Sequence, residues 1–221
     1  MITSVVVLTY RRYKDLDAVL KAWLSETPDV WLCDCGHGFQ TNLPIKIVKI
    51  NPDPGSKSRH AVALLTSGDF VIKADDDVIP LPGFIKDVQN GWINAGSNGI
   101  CGVIGRQFNG ESYYKNTLFH ASNKIDKIQT VDFVGVITFS PRKHLAFDLI
   151  GCQTPVEDLY WQMKAFPNVP KYVIPTKKYI NLKSSGDANR LFRDEKARII
   201  RETFYKEYYL RNYKRGENEN A

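Results

Sequence analysis

The sequence has no long apolar run of the kind that forms a membrane-spanning helix. Its apolar stretches, such as residues 5–8 and 133–139, are far shorter than the roughly 20 residues that such a helix needs. It also contains no Walker phosphate-binding loop, no G-x-S-x-G motif and no H-x-x-x-H pair among its four histidines. These absences argue against a P-loop nucleotide hydrolase, an α/β-hydrolase and a zinc hydrolase.

Cysteine is scarce, since the 221 residues include only Cys33, Cys35, Cys101 and Cys152. A chain of this length can build a core without disulfides, and its first residues show no basic segment leading into a cleavable apolar stretch. We therefore expect reduced thiols and a cytoplasmic location. Cys33, Cys35 and His37 could supply metal ligands, but the cluster lacks a fourth ligand, so buried cysteines are the favoured interpretation.

Neither sign of charge is strongly depleted. Lys and Arg total 30 against 24 Asp and Glu, which gives a net charge of +6 and favours an anionic partner: nucleic acid, phosphate or a membrane surface. Much of the excess is local, because residues 187–215 contain nine basic and five acidic side chains. A hydrophobic content of 43% with 12% aromatic residues is enough to bury a core, which excludes a disordered chain.

The hydrophobic pattern of the first hundred residues predicts alternating strands and helices. Apolar, β-branched runs at residues 3–9, 30–33, 45–50 and 69–74 predict strands, and amphipathic stretches at 13–24 and 55–65 predict helices. Helical spacing in the first of these stretches places four apolar residues on one face: Leu16, Val19, Leu20 and Trp23. This order predicts an α/β fold in which a mostly parallel, Rossmann-like central sheet is flanked by helices.

The second half of the sequence has a less regular pattern. It predicts strands at residues 100–104, 131–139 and 172–174 and a long charged C-terminal helix at 188–213. A further helix begins near residue 155 and presents one apolar face, made of Val156, Leu159, Tyr160 and Met163. Because the sequence shows no linker and no internal repeat, it predicts a single domain over residues 1–215 and a polar tail at 216–221.

Three consecutive carboxylates, Asp75, Asp76 and Asp77, directly follow the predicted strand at residues 69–74. Open parallel sheets bind their ligands beyond the carboxyl ends of the strands. Strand alternation predicts that Asp75 and Asp77 point to the same side. There they can hold Mg²⁺ or Mn²⁺, whose other positions are filled by water and substrate phosphate. A solvated acidic turn is the alternative.

Neighbouring segments carry side chains that suit a nucleotide diphosphate. The predicted helix at residues 55–65 begins with basic residues, at a terminus whose free N–H groups and dipole favour an anion. The first strand ends in an aromatic residue and two arginines, and the second ends in a carboxylate that suits a base or a ribose. The candidate nucleotide-binding residues are Thr9, Tyr10, Arg11, Asp34, Lys57, Arg59, Asp75 and Asp76.

These motifs resemble those of GT-A-type glycosyltransferases, especially of family 2. V-V-V-L-T-Y-R-R is similar to the opening strand of that family, and L-C-D-C-G to its second strand, with its uracil-contacting Asp. G-S-K-S-R-H-A-V-A-L-L-T-S-G-D-F-V-I-K-A-D-D-D-V is similar to its basic helix start, Gly-Asp turn, strand and DxD motif. The resemblance implies that Asp77 is the chief metal ligand, helped by Asp75. V-E-D-L-Y-W-Q is similar to the acidic helix start, which implies a catalytic role for Asp158, beside Glu157.

The C-terminal half resembles exostosin-type transferases. G-V-I-G-R is similar to their strand ending in Arg, which implies that Arg106 contacts the nucleotide-sugar donor. S-S-G-D-A-N-R-L-F-R-D-E-K-A-R-I-I-R is similar to their loop and basic helix. That helix supplies Arg190 and Arg193 as candidate diphosphate contacts. No His follows His144, so Asp187 or the donor phosphates are the candidates to complete the metal site. The resemblance implies a nucleotide-sugar half near residues 1–106, an acceptor half near 107–187 and a C-terminal helix near 188–215.

The activity that this resemblance implies is metal-dependent transfer of a sugar from a nucleotide diphosphate, with a UDP-sugar as the expected donor. The acceptor would be a hydroxyl of a glycan or glycoprotein, and the cation Mn²⁺ or Mg²⁺. Asp158 would act as general base and invert the anomeric centre, or would orient the acceptor if configuration is retained. As the alternative, Glu157 and Asp158 fit an ordinary first turn of a helix, where acids interact favourably with the dipole.

Two other functional classes stay open. A nucleotidyltransferase that makes activated sugars also binds nucleotides on an α/β sheet, but no glycine-rich loop follows the first strand here. A module for nucleic acid or a membrane surface would use the basic C-terminal helix, whose interleaved acidic residues interrupt any phosphate-binding stripe. We therefore expect no specific nucleic-acid partner and at most weak contact with a membrane surface.

Overall fold

A nine-stranded sheet is the main feature of the computed structural model, which describes residues 1–51, 55–109, 112–121, 125–148, 156–182 and 195–210. The strands of the sheet are β1 (Thr3–Thr9), β2 (Val30–Asp34), β3 (Lys46–Lys49), β4 (Phe70–Asp75), β6 (Ile100–Gln107), β7 (Thr117–His120), β8 (Gln129–Val131), β9 (Phe133–Pro141) and β10 (Lys171–Val173). A separate antiparallel pair consists of β5 (Val78–Pro80) and β11 (Tyr179–Asn181).

The order of the strands confirms the predicted sheet. It runs β3-β2-β1-β4-β9-β6-β10-β8, and β7 also pairs with β6. The pairings make β1, β2, β3, β4, β6 and β10 point one way and only β7, β8 and β9 the other, so the sheet is mostly parallel. The antiparallel β9 lies between β4 and β6. The carboxyl ends of the first strands therefore meet at one edge of the sheet, as they do in Rossmann-like folds.

Helices cover the sheet. They are α1 (Leu16–Glu26), α2 (Ser58–Leu65) after a 3-10 turn (Gly55–Lys57), α3 (Phe84–Asn94), α4 (Glu157–Leu159) with a π-helical continuation (Tyr160–Ala165), and α5 (Glu195–Tyr205) with a π-helical continuation (Lys206–Leu210). Among the helices that the structure describes, none has both the length and the apolar character needed to cross a membrane.

The N-terminal helices pack as the sequence predicts. The four residues Leu16, Val19, Leu20 and Trp23 are all fully buried on α1. Burial of such side chains stabilises a fold by roughly 1.5–3 kcal/mol each, which fixes α1 on the sheet. At its other end, the Glu26 carboxylate accepts hydrogen bonds from the backbone N–H groups of Gly83 (2.7 Å) and Ile85 (2.9 Å). A side chain of α1 thus caps α3 across the fold, satisfying N–H groups that the helix leaves open.

The second half differs from the prediction in its details. The predicted strand at residues 131–139 is mainly β9, which begins at Phe133, whereas Val131 is the last residue of the separate strand β8, which pairs with another neighbour. The predicted helix at 188–213 is described over residues 195–210 and is helical there, and its other residues lie outside the described parts of the chain. This helix packs into a second apolar cluster, made of Phe108, Tyr113, Phe133, Val156, Leu159, Met163, Tyr205 and Tyr209.

Candidate functional site

The predicted site residues of the first half meet at the carboxyl edge of β1, β2 and β4. Thr9 pairs with Asp34 across β1 and β2, and Leu8 pairs with Asp75 across β1 and β4. The ends of the three strands therefore lie at the same level of the sheet, which is where ligands bind in folds of this type.

Arginines neutralise the three consecutive carboxylates. Arg59 Nη1 donates to Asp75 Oδ1 at 2.6 Å, and Arg12 donates through Nη1 to Asp76 Oδ1 at 2.7 Å and through Nη2 to Asp77 Oδ2 at 3.0 Å. β4 ends at Asp75, and Asp76 and Asp77 form a turn before β5, so strand alternation does not position Asp77 as the sequence suggested. Two arginine side chains of the protein thus provide positive charge beside the acidic cluster.

Asp76 is the buried member of this group. Thr9 Oγ1 donates to its Oδ2 at 2.8 Å, and only 7% of the residue is exposed. Burial raises its pKa to about 7, although Arg12 and Thr9 act in the opposite direction. At neutral pH Asp76 is therefore only partly ionised, which reduces the repulsion that three adjacent carboxylates would otherwise create.

Arg59 lies in the first turn of α2, as predicted, and faces two acidic segments. Burial opposes its charged form, but the carboxylates of Asp75, Glu157 and Asp158 outweigh this effect and raise its pKa. Its Nε is buried and has no hydrogen-bond partner among the described residues. Since buried polar groups are nearly always satisfied, this N–H indicates a place for a ligand or an ordered water.

Asp34 organises the loop after β2. The residue is fully buried, and its carboxylate accepts hydrogen bonds from Tyr13 Oη and from the backbone N–H groups of Gly36, His37 and Phe39, at 3.0 to 3.2 Å. Such a set of donors holds a carboxylate firmly in place. In this structure Asp34 therefore shapes the loop, and its predicted contact with a base or ribose stays a prediction.

A cavity of about 410 Å³ opens between the ends of β1 and β2. It is lined by Tyr10, Arg11, Cys35, Gly36, His37 and Asn51. Arg11 has a left-handed backbone, with φ of 57°, and its guanidinium lies 5.2 Å from the centre of the Tyr10 ring. This unusual backbone turn leaves Arg11 at the cavity, while Arg12 reaches the acidic cluster.

The second group of predicted residues lies at the start of α4. Glu157 is buried, and burial and the neighbouring Asp158 charge raise its pKa. Its Oε2 has no hydrogen-bond partner among the described residues. Asp158 instead forms an ion pair with Arg201 of α5, whose Nη1 and Nη2 lie 3.0 Å from Oδ1 and Oδ2. The two adjacent carboxylates therefore have different surroundings, which is a common arrangement for separate acid and base roles.

Arg106 belongs to the same region as Asp158, not to the cavity at β1 and β2. Its guanidinium lies 4.8 Å from the centre of the Tyr113 ring, and Nη1 donates to the Tyr113 carbonyl oxygen at 3.4 Å. Arg201 Nη2 in turn donates to the Tyr113 hydroxyl at 2.8 Å. Lys57 lies in the 3-10 turn before α2, near Arg59. Asp187, Arg190 and Arg193 lie outside the described residues.

Sequence reasoning missed a buried cluster of basic and aromatic side chains. Lys73 is almost fully buried in β4, with its Nζ 3.1 Å from His60 Nδ1 and 3.0 Å from the centre of the Trp161 ring. Burial, and secondarily the Arg59 charge, lowers the pKa of Lys73 well below its usual value. The sequence did contain two signals of this cluster: a lysine within the apolar strand β4, and Trp161 three residues after the acidic pair Glu157 and Asp158.

The residues that could hold a cation are limited in number. In the described parts of the chain, no group of three or more His, Cys, Asp and Glu side chains is arranged as a metal site. Two side chains of the acidic cluster retain exposure toward solvent, Asp75 with 40% and Asp77 with 21%. This donor set fits a Mg²⁺-type ion, which is usually held by one or two carboxylates together with water and substrate phosphates.

The C-terminal helix uses its aromatic residues to pack on the domain. Tyr205 is fully buried, its ring lies 4.9 Å from that of Phe108, and the Phe204 ring lies 6.4 Å from that of Tyr160. Glu202 Oε2 accepts hydrogen bonds from Ser112 Oγ and from the Tyr113 N–H, both at 3.0 Å. The described part of α5 therefore packs Tyr205 into the interior and connects, through Glu202, to the turn at Ser112 and Tyr113.

Comparison with known proteins gives a structural likeness. The sequence matches no protein-family profile and no curated protein. A structure of S. aureus TarS residues 1–349 matches with a TM-score of 0.57 at 20% identity, covering 81% of this chain and 59% of that one. The same fragment in complex with UDP-GlcNAc gives 0.57 and 20%, covering 85% and 60%, and in complex with UDP it gives 0.54 and 19%, covering 81% and 59%. The chain thus shares the fold of TarS and spans less than two thirds of these structures.

Proposed function

We propose that the chain transfers a sugar from a nucleotide diphosphate donor, a UDP-sugar, to a hydroxyl group of a glycan or glycoprotein. The observation that carries this proposal is the convergence, at one edge of the sheet, of the cavity at Tyr10 and Arg11, the acidic cluster Asp75–Asp76–Asp77 and the buried Arg59. A fold shared with TarS, which has been solved with UDP-GlcNAc and with UDP, supports the choice of donor.

The base and ribose of the donor are assigned to the cavity between β1 and β2. Tyr10 is 40% exposed and offers a ring face for stacking. The cavity volume of about 410 Å³ lies within the range for small-molecule sites. Asp34 holds the loop from Gly36 to Phe39 in place from beneath. Thr9 supports the neighbouring Asp76 and keeps the two strand ends together.

The diphosphate is assigned to the space beside Arg59. The unsatisfied Nε–H of Arg59 can donate to a phosphate oxygen, and the start of α2 adds the positive end of a helix dipole. Lys57, two residues earlier in the 3-10 turn that precedes α2, adds a second positive charge. Arg190 and Arg193 are proposed as further phosphate contacts from residues outside the described parts of the chain.

A divalent cation, Mn²⁺ or Mg²⁺, would be held by Asp77 and Asp75, and Asp187 is a proposed third ligand outside the described residues. When bound, the ion neutralises the charge that develops on the leaving diphosphate. Arg12 pairs with Asp77 and Arg59 pairs with Asp75, so each arginine would share its carboxylate with the bound ion. The exposure of Asp75 and Asp77 allows this exchange.

The acceptor hydroxyl is assigned to the start of α4. Asp158, held by Arg201 in a fixed orientation, is proposed to take the proton of the attacking hydroxyl, which would invert the anomeric centre. If configuration is retained, the same carboxylate would orient the acceptor. Glu157, buried and with a raised pKa, is suited to hold a proton and to donate a hydrogen bond through it to the substrate.

The test is a screen of nucleotide sugars for hydrolysis and transfer with and without Mn²⁺. We expect release of the nucleoside diphosphate that depends on Mn²⁺ and is lost in Asp77→Asn. Asp126→Asn serves as a matched control, because Asp126 is an exposed residue far along the chain from the acidic cluster. Full activity in Asp77→Asn would overturn the metal assignment. Diphosphate release from a nucleoside triphosphate and a sugar 1-phosphate would instead identify a nucleotidyltransferase.

A further inference from the structure

Two cysteine thiols lie side by side at the end of β2, and one of them, that of Cys35, lines the cavity at β1 and β2. Cys33 lies in β2, and Cys35 is the first residue after the end of that strand. Their sulfur atoms are 3.9 Å apart. Both residues are buried and reduced. Cys35 also forms part of the cavity lining, next to Arg11 and His37. Nothing in the proposed transfer reaction uses either thiol.

The position of the two cysteines brings their sulfur atoms close together. Cys33 is the second-last residue of β2, and Cys35 lies in the bend that follows the end of this strand. Natural disulfides span Cα separations of about 4.4–6.8 Å, and their sulfur atoms are about 2.05 Å apart. From a separation of 3.9 Å the two sulfur atoms must approach each other by about 1.9 Å, and the Cβ atoms must come to about 3.5–4.5 Å, so the bond requires a shift of the backbone at Cys35.

The surroundings of Cys35 favour reaction at this sulfur. Ser58 Oγ lies 3.2 Å from it and donates its own proton to the Gly55 carbonyl oxygen at 2.7 Å. The Cys35 thiol is therefore the donor in its contact with Ser58, and this hydrogen bond is lost when the thiol ionises. Arg11 lines the same cavity, and a cationic neighbour stabilises the thiolate form that reacts with oxidants. The cavity provides a path for a small oxidant.

We propose that Cys33 and Cys35 form a redox-active pair that closes to a disulfide on exposure to a peroxide. The Cys35 thiolate attacks one peroxide oxygen and breaks the O–O bond, which gives a sulfenic acid and a hydroxide ion; the hydroxide takes up the proton that the thiol lost and leaves as water. The Cys33 sulfur then attacks the Cys35 sulfur and displaces a second water, while its proton goes to the leaving oxygen. Two thiols and one hydrogen peroxide thus give one disulfide and two waters. An external dithiol reduces the disulfide back to the two thiols and is itself oxidised.

Disulfide formation would alter the nucleotide cavity. The Cys35 N–H donates to the Thr9 carbonyl oxygen at 3.1 Å, and Asp34, between the two cysteines, holds the loop from Gly36 to Phe39. Moving Cys35 toward Cys33 displaces this backbone. We therefore expect the oxidised protein to bind UDP at least tenfold more weakly than the reduced protein, a consequence that rests on the proposed function.

The experiment treats the full chain with hydrogen peroxide and maps its thiols by mass spectrometry. Both cysteines lie in the tryptic peptide of residues 22–46, so the disulfide appears as the loss of two hydrogen atoms and as resistance to alkylation. We expect this in the wild type and in the control Cys101→Ser, since burial raises the pKa of the Cys101 thiol and Cys101 lies in another strand. Cys33→Ser should instead stop at a sulfenic acid on Cys35.

Several outcomes would overturn the inference. If both thiols of the peroxide-treated wild type still react with an alkylating agent, no disulfide has formed. The same conclusion follows if Cys35 is oxidised to a sulfinic acid although Cys33 is present. Equal affinity of the oxidised and reduced forms for UDP would disprove the coupling to the cavity. Absence of UDP binding by the reduced protein, with the disulfide formed, would count against the proposed donor alone.

Discussion

Arg201 and Asp158 form a two-point ion pair, in which both terminal guanidinium nitrogens lie 3.0 Å from the two carboxylate oxygens. Both side chains are mostly buried, with 15% and 22% exposure. Arg201 also donates to the Tyr113 hydroxyl at 2.8 Å. One arginine of the C-terminal helix therefore fixes the carboxylate that we propose as the base and joins it to the turn that carries Tyr113.

Replacing Arg201 should detach α5 from this region. We expect Arg201→Met to lower the free energy of unfolding by about 1–3 kcal/mol, because it leaves a largely buried carboxylate without its partner. Arg201→Lys should recover only part of this loss, since lysine cannot form the two-point pair. Urea unfolding measures the change. The control Arg198→Met removes an exposed arginine of the same helix, and an equal loss there would show that the ion pair is unimportant.

Arg59→Met should weaken the binding of UDP but not that of uridine. If Arg59 contacts the diphosphate, loss of a charge-assisted hydrogen bond reduces the affinity for UDP by about tenfold to a hundredfold. Uridine lacks the diphosphate and should bind both forms equally. Calorimetry or competition binding provides the measurement, with Lys49→Met, on the exposed edge strand β3, as the control. A parallel loss of uridine affinity would place Arg59 elsewhere in the donor site.

Asp34→Asn should loosen the loop after β2. The carboxylate of Asp34 accepts from four donors, and an amide would place an NH₂ group, itself a donor, against some of them. We therefore expect the free energy of unfolding to fall by about 2–3 kcal/mol. Hydrogen exchange of the amides of Gly36, His37 and Phe39 should accelerate. Asp17→Asn is the control, because that exposed carboxylate accepts a hydrogen bond from Thr41 at the surface. Unchanged exchange in Asp34→Asn would contradict the loop-organising role.

Lys171 predicts a dependence of stability on pH. Burial lowers its pKa from 10.5 to about 8, although its Nζ donates to the carbonyl oxygens of Phe166 and Pro167. Between pH 8 and 10.5 the unfolded chain holds this proton and the folded chain does not, so stability rises with pH there. The free energy of unfolding of the wild type, measured relative to that of Lys171→Met, should therefore increase by about 2 kcal/mol between pH 7.5 and pH 10. A constant difference would refute the shift.

Gly91→Ala should destabilise the protein although alanine favours helices by about 1 kcal/mol. A Cβ at this position of α3 would lie only 2.3 Å from the Cγ2 atom of buried Ile174. Such overpacking costs about 1–3 kcal/mol, which exceeds the gain in helix propensity. Thermal unfolding checks this, and Asn94→Ala, at an exposed position of the same helix, should be neutral or stabilising. A stabilised Gly91→Ala would show that the contact relaxes without cost.

Local patterns were sufficient to predict the elements of the first half. The apolar face of α1 and the run of β4 depend on neighbours in sequence, and both lie where hydrophobic spacing places them. The antiparallel direction of β9 was not predictable, because a buried strand has the same composition in either orientation. For the same reason the separate pairings of β8 and β9 could not be read from one apolar run.

The candidate site was predictable only in its local part. The sequence indicated Asp75 and Arg59 because each lies at the end of an element, where unpaired backbone groups and charges collect. It did not indicate that Arg12 pairs with Asp76 or that Arg201 pairs with Asp158, since these contacts join residues 64 and 43 positions apart. The apolar strand around Lys73 signalled its burial, but its contact with Trp161 could not be predicted, because it depends on how the π-helical continuation of α4 packs on β4.

The docking of α5 also sets an order of events during synthesis. A ribosome makes Asp158 43 residues before Arg201, which at about 5–20 residues per second is an interval of several seconds. During that interval the strands of the first half are already available to pair, whereas α4 still lacks its guanidinium. A nascent chain can therefore pair β1, β2 and β4 before Asp158 meets Arg201, and the region around the start of α4 is completed last.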